Sequence, residues 1–416
     1  MFVEKMACSR CGEVYSVGEN PLMCRRGDLG RLDIFYDYDS VGKSFDREVL
    51  SKRPPDGVWR FWELMPASKE HAAHLMEGGT PLIRADRLGG RLGMRSLFLK
   101  DETRNPTSSF KDRAMAVGVA KAVEMGVSAT VTASSGNAAA SLAAYSASSG
   151  LDCYAFVSED IARGKVAQLS LYGARLFRVR QVAEGRDPTV EMMLETMKRL
   201  GWYPCPSFGP FNPYQLEGLK TIAYEVVEQM GWRSPDFILI PTGSGCLAAG
   251  VWKGLRDLYT LGLIADYPGI VPVQPEGNQA LVRALRDGRS FKEVVPERWP
   301  HSIASGLLDP YPWDGDAVME GVRTSKGAGV AVSDEEILEA VRALASYEGV
   351  FAEPSGAAGV AGLRRLLDEG YIDRSDMVVV LVTGSGLKEV DKLAGQYQDP
   401  PLINPDISEL SKHIKF

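Results

Sequence analysis

No stretch of this sequence stays apolar for the roughly 20 residues that a membrane-spanning helix needs. The opening Met-Phe-Val-Glu-Lys-Met-Ala-Cys also lacks an apolar signal core. Both absences make a cytoplasmic protein without a membrane segment the expectation. Cysteine is sparse as well: six in 416 residues do not make a disulfide scaffold, which suits a reducing compartment. Nor is there an excess of basic charge. Lys and Arg number 47 against 54 Asp and Glu, for a net charge of −7, so no overall field draws nucleic acid or an anionic membrane. A small anion would instead need a local nest of donors. Histidine is rarer still, at four residues. His71 and His74 stand three apart with no third ligand near them, and read as a solvated helix face. There is no internal repeat and no low-complexity segment.

What remains is the material of an ordinary globular protein, 45% hydrophobic and 24% charged. At roughly 100–200 residues per domain, the length allows two or three cores. Residues 1–40 stand apart as a ribbon-like segment. Cys8-Ser-Arg-Cys11 looks like half of a zinc ribbon, but only Cys24 follows where a second pair is expected. Three thiols are one short of a tetrahedral structural site, so the expectation is no metal, with Cys8, Cys11 and Cys24 as its weak candidates. Residues 50–66, rich in Pro, Trp and charge, read as an irregular arm. From about residue 97, short apolar runs alternate with helical periods. Strands are expected at Ala129–Ala133, Cys153–Val157, Leu176–Val179, Asp236–Ile240, Ile270–Val273 and Met377–Val382. Helices are expected at Ala138–Ser148, Lys165–Tyr172, Leu247–Leu258 and from Ser333, whose Ser-Asp-Glu-Glu is a capping-box start. This alternation is the mark of an α/β fold with parallel sheets covered on both faces, here as two such units. The proline-rich tail after Gln398 reads as an extended arm.

Four segments carry chemistry. Lys100-Asp-Glu-Thr-Arg-Asn105-Pro-Thr-Ser-Ser-Phe110-Lys111-Asp-Arg113 delivers a lysine just ahead of a helix. The positive end of a helix dipole favours the neutral form of an amine, the form that attacks an aldehyde to make an imine. Alone, the same lysine would pass for a surface residue. Ser134-Ser135-Gly136-Asn137 joins a strand end to a helix start, where exposed N–H groups suit a carboxylate or phosphate, although a plain helix cap accounts for it equally well. Thr242-Gly243-Ser244-Gly245-Cys246-Leu247 is a second strand-to-helix turn whose glycines let main-chain N–H groups cradle an anion. It lacks the Lys-Ser/Thr ending of a nucleotide P-loop and the third glycine of a dinucleotide fingerprint, so a group smaller than a nucleotide is the better occupant. Thr383-Gly384-Ser385-Gly386-Leu387-Lys388 follows the last core strand, where open α/β sheets bind ligands.

In that order, the four segments resemble those of threonine synthase, in the tryptophan-synthase-β-like, fold type II group of pyridoxal phosphate enzymes. Gly164-Lys165-Val-Ala-Gln168, Asn212-Pro213-Tyr-Gln-Leu-Glu217-Gly218 and Ala352-Glu353-Pro354-Ser355 extend the likeness over about residues 78 to 395. The resemblance implies two open parallel-sheet α/β domains with the cofactor in the cleft: a large one from residues 41–113 and 206–416, and a small mobile one from 114–205. It implies pyridoxal 5′-phosphate on Lys111 as a Schiff base, with Phe110 beside it, and Lys111 then moving protons on the substrate. Asn137 would touch the ring 3′-oxygen, and Thr383 the pyridine nitrogen. The N–H groups of Gly243, Ser244, Gly245, Cys246 and Leu247 would bind the cofactor phosphate. Ser134, Ser135, Gly136 and Asn212 would hold a small amino-acid substrate, in a protein whose relatives are often homodimers.

The chain departs from the commonest pattern of that family at five places: Ser108 and Ala114 stand where it has Gly, and Ser244 and Cys246 where it has Asn and Gly. The fifth is Gln215, which replaces an Arg that helps bind the phosphate of O-phosphohomoserine; Gln offers no charged fork of donors. Two activities therefore stay open. One turns O-phosphohomoserine and water into threonine and phosphate. The other is a threonine or serine ammonia-lyase, or a β-replacement enzyme such as cysteate synthase acting on a phosphoserine-like substrate. A non-catalytic binding relative and a nucleotide-binding protein are the alternatives of other classes.

Overall fold

The computed structural model describes residues 1–161, 163–181, 187–395, 399–410 and 412–414. Its centre is the run Met377–Val382, six residues of Met, Val and Leu with the last five buried. A strand with no polar alternation must be covered on both faces, and this one lies inside a six-stranded sheet. The strand order is Val330–Val332, Gly269–Pro275, Phe237–Pro241, Met377–Val382, Ser96–Asp101 and Leu82–Arg84. The first five are parallel, and Leu82–Arg84 closes the edge antiparallel to Ser96–Asp101. A second, four-stranded parallel sheet runs Arg175–Val179, Asp152–Ser158, Ala129–Ala133 and Tyr203–Pro204. The expected strands and helices are present, with ends shifted by a residue or two.

Parallel register matters more here than strand count. Val382 pairs with Asp101, and Leu239 with Val380. The loops after Asp101, Pro241 and Val382 therefore leave the sheet at the same end and side by side, as carboxyl ends of an open sheet do.

Two regions differ from expectation. Residues 50–66 are not a loose arm. Arg47–Lys52 is a helix, and Gly57–Leu64 winds in 3-10 turns that bury Trp59, Phe61 and Leu64 in the main core. Its charged residues are accounted for by pairing: Arg53 with Glu63, and Arg60 with Glu228. The N-terminal ribbon is a three-stranded antiparallel sheet of Val3–Cys8, Val14–Tyr15 and Leu32–Tyr36. It shares the main core through Met6, Leu32, Ile34 and Tyr36. The described parts of the tail, 399–410 and 412–414, are largely exposed and include the single helical turn Ile407–Leu410.

Beneath the loop after Asp101 lies a fully buried network of charge. The Arg113 guanidinium donates to Glu102 Oε2 at 2.7 Å and Glu102 Oε1 at 2.8 Å. It also donates to Glu225 Oε1 at 2.6 Å and Oε2 at 2.7 Å. Lys100 donates to Glu225 Oε2 at 2.6 Å. Burial alone would raise both carboxyls; the Arg113 and Lys100 cations outweigh it and hold Glu102 and Glu225 below the usual carboxylate range. Stability from these groups is therefore present above the ordinary carboxylate pKa, and is lost only as pH falls through their depressed values. Replacing the Arg113 cation leaves the buried Glu102 carboxylate without its guanidinium partner and Glu225 with Lys100 alone. Arg113→Met should lower the unfolding free energy by about 3–5 kcal/mol in urea titrations at neutral pH. A loss below about 1 kcal/mol, the scale of an exposed pair, would show that the network carries little.

Candidate active site

Lys111 is the first residue of the helix Lys111–Glu124. Its Nζ donates to Ser207 Oγ at 2.7 Å, lies 3.4 Å from Cys246 Sγ and stands 4.8 Å from the centre of the Phe110 ring. The loop before it is pinned at both ends. Asp112 accepts from Thr107 N at 2.6 Å and Thr107 Oγ1 at 2.6 Å. Across the sheet end, Phe110 N donates to Thr383 O at 3.0 Å and Ser385 N to Ser108 O at 3.0 Å. The first and fourth motifs are thus laced together by main-chain hydrogen bonds. Ser108 has a φ of 65°, the left-handed region in which glycine is at ease. That is the physical meaning of the glycine expected at this position.

The second motif meets the same place from the four-stranded sheet. Asn137 opens the helix Asn137–Ser148. Its Nδ2 donates to Glu353 Oε1 at 2.8 Å, and its Oδ1 accepts from Lys388 Nζ at 3.0 Å. Burial, with the Glu389 charge adding to it, pushes the Glu353 carboxyl up to about 7; burial pulls the Lys388 amine down. Ser134 and Ser135 are half-buried beside Asn137, and Ser135 Oγ accepts from Ser158 N at 2.9 Å. Lys165 reaches across from the helix Arg163–Leu171 to Glu389 at 3.0 Å.

The third motif is a nest. Gly245 has a φ of 96° and caps the helix Cys246–Thr260, so the loop's N–H groups converge with that helix's positive end. An anion already lies against them: Ser244 N donates to Asp309 Oδ2 at 3.1 Å. A Cβ on Gly243 would stand 2.9 Å from the same oxygen and 3.1 Å from Leu307 Cα, so only glycine leaves this space open. Burial pushes the Asp309 carboxyl up to about 6.

A family model described as pyridoxal-phosphate dependent enzyme matches residues 74–384. Threonine synthase of Methanocaldococcus jannaschii is 39% identical over 410 residues, covering 98% of this chain and 98% of that protein. Threonine synthase of Methanosarcina acetivorans is 35% identical with the same coverage. The chain belongs to the threonine synthase family of pyridoxal-phosphate-dependent enzymes. Among solved structures, maize serine racemase matches with a TM-score of 0.64 at 22% identity, covering 76% of this chain and 91% of that one. The processed form of threonine deaminase isoform 2 from Solanum lycopersicum matches with a TM-score of 0.62 at 21% identity, covering 76% and 84%. These likenesses fit the fold type II architecture of two parallel sheets. As a threonine synthase family member the protein is a lyase, and its cofactor is pyridoxal 5′-phosphate. The nest at Gly243–Leu247, with glycine where a side chain would intrude and an N–H already turned toward an anion, fits the phosphate of that cofactor.

Asn212, expected to hold substrate, and Gln215, which stands where an Arg was expected, are both turned into the core. Asn212 is fully buried, its amide spent on Pro204 O at 2.8 Å and on Tyr214 N at 3.1 Å. Gln215 is also fully buried, and accepts from Ser207 N at 2.9 Å. It holds the residue that holds Lys111. Ser207 escaped the sequence reading because it belongs to no motif, and its φ of 69° is one that glycine or asparagine would have signalled. Asp309 escaped for a similar reason, since a lone aspartate in an irregular stretch announces nothing.

Gln215→Leu leaves the Ser207 N–H without an acceptor. It should cost about 1–3 kcal/mol of stability and slow turnover, measured by urea titration and steady-state kinetics. Unchanged turnover would show that Ser207 keeps its place without Gln215.

Proposed function

We propose that the protein converts O-phosphohomoserine and water into threonine and inorganic phosphate. The observation that carries this reading is the near-full-length similarity to two archaeal threonine synthases, at 39% and 35% identity. The charge of the cleft supports it. Lys388 donates to Asn137, and Lys165 stands close enough for its charge to act on Lys388. Two amines on this side give a doubly charged phosphate a partner that threonine or serine would not use. With Gln215 buried behind Ser207, this reading assigns a substrate phosphate to these lysines rather than to residue 215.

Bound pyridoxal phosphate supplies the electron sink for negative charge developing at the substrate's Cα. The chain's own residues do the rest. Lys111 would hold the cofactor, and its amine is the group placed to take the Cα proton and return protons along the substrate. Ser207 aims the Lys111 amine through its 2.7 Å hydrogen bond. The N–H groups of Gly243, Ser244, Gly245, Cys246 and Leu247 would bind the cofactor phosphate, in the nest where Ser244 N donates to Asp309. Asn137, oriented by Glu353 and Lys388, would meet the ring 3′-oxygen. Thr383 would meet the ring nitrogen with a hydroxyl, which unlike a carboxylate would hold no proton there and would keep the ring a mild sink. Ser134, Ser135 and Gly136 take the substrate carboxylate at the start of the helix Asn137–Ser148. The Cγ–O bond breaks with phosphate leaving, and water adds at Cβ to give threonine.

A second reading, ammonia-lyase chemistry on threonine or serine, is favoured by Glu353-Pro354-Ser355-Gly356, which resembles the dehydratase branch. The two readings separate by product. Phosphate release from O-phosphohomoserine should exceed ammonia release from threonine or serine under matched conditions; the reverse ratio would reject the synthase reading.

A further inference from the structure

Three thiols leave a tetrahedral site one donor short, and the ribbon supplies the fourth as a carboxylate. Cys8 ends the strand Val3–Cys8, and Cys11 lies in the turn that follows. That turn is closed by Gly12, at a φ of 72°, whose N–H donates to Cys8 O at 3.0 Å. Cys24 starts a second turn of similar build. Gly27, at a φ of 65°, donates to Cys24 O at 3.0 Å and folds Asp28 back beneath the first turn. Gly30 N then fixes the Asp28 carboxylate with a 2.9 Å hydrogen bond to Oδ1.

We infer that Cys8, Cys11, Cys24 and Asp28 form a structural site for a zinc-like divalent cation. One ligand atom from each of the four lies within 4.8 Å of the others. Cys11 Sγ is 3.6 Å from Cys24 Sγ, and Cys8 Sγ is 3.4 Å from both Asp28 oxygens. A tetrahedral ion with bonds of about 2.3 Å to sulfur and about 2.1 Å to oxygen sets sulfurs roughly 3.8 Å apart, and sulfur and oxygen roughly 3.6 Å apart. The side chains therefore stand almost at coordination distance. Three soft donors select zinc or its neighbours over calcium and magnesium, which take oxygen.

The surroundings suit such a centre. Tyr15 Oη donates to Cys24 Sγ at 3.4 Å, as an outer partner of a thiolate does. Three thiolates and a carboxylate around a divalent ion carry a net negative charge, and Arg10, Arg25 and Arg26 ring it. Arg10 Nη1 donates to Asp28 O at 2.7 Å, and Arg25 lies over the Tyr15 ring at 4.5 Å. A Cβ on Gly30 would overlap the Cys8 sulfur, so the loop closes this tightly only with glycine there.

The site clasps the end of the ribbon that touches the cofactor-side core. Three residues beyond Asp28, Arg31 donates to Asp316 Oδ1 at 2.7 Å, and Arg10 donates to Tyr311 Oη at 3.0 Å. Next to Asp316, Asp314 N donates to Ser244 O at 3.0 Å in the phosphate nest. The ion fixes the ribbon, and the ribbon buttresses that nest.

The test is metal content and thermal stability of the full-length protein, produced with zinc in the medium and purified under reducing conditions. About one zinc per chain is expected. Cys11→Ser, at an exposed position that the fold tolerates, and Asp28→Asn should each weaken zinc binding about tenfold or more in a chelator competition, while the buried control Cys153→Ser should not. Cobalt in place of zinc should give the intense thiolate-to-metal bands of a tetrahedral site. A protein that holds no zinc with its thiols reduced would overturn the proposal, and so would a Cys11–Cys24 disulfide in the native protein. Zinc binding that Asp28→Asn leaves unchanged would overturn the proposed donor set.

Discussion

The buried contact between Arg113 and the carboxylates of Glu102 and Glu225 is the constraint from which the rest of the molecule can be read. A fully buried guanidinium is tolerable only when its donors are all met, and those of Arg113 also reach Thr80 and Thr221. The partners come from three places: the stretch before Leu82–Arg84, the loop after Asp101, and the helix Thr221–Gln229. Satisfying one cation therefore fixes where the loop 102–110 leaves the sheet. That loop is the one that carries Lys111. The same network explains the polar stretch Lys100–Arg113, which looks like surface by composition and is largely interior in fact.

With the loop held, the cleft is assembled mostly by main chain. Phe110 N to Thr383 O and Ser385 N to Ser108 O join segments more than 270 positions apart, so Lys111 and Thr383 keep one geometry. The larger sheet contributes three adjacent strand ends and the smaller sheet one helix start at Asn137. Between them stand Glu353, Lys388, Lys165 and Glu389, a compact group of opposed charges. A phosphate arriving there would compete with Glu389 for Lys165.

The sheets were legible in the sequence because strands such as Met377–Val382 and Ala129–Ala133 are continuous apolar runs, ended by small polar and glycine residues. The motif loops were legible for the same reason. What the sequence concealed has a common cause, namely that the deciding residues are chemically ordinary. Ser207 adopts a positive φ without being glycine. Gln215 reads as the loss of a phosphate-binding Arg, and its amide oxygen accepts from Ser207 N. Asp28 is one acidic residue among many until a glycine turn brings it to Cys8. Residues 50–66 look irregular because their apolar spacing follows short 3-10 turns, which match neither the 3.6-residue nor the 2-residue period.

Everything in the account of chemistry depends on one amine. Borohydride reduction of the cofactor-loaded protein, followed by proteolysis and mass spectrometry, fixes the phosphopyridoxyl group to the lysine that holds it. The adduct is expected on the peptide containing Lys111. An adduct on Lys165 or Lys388 instead, or none on the loaded protein, would contradict the site as built here.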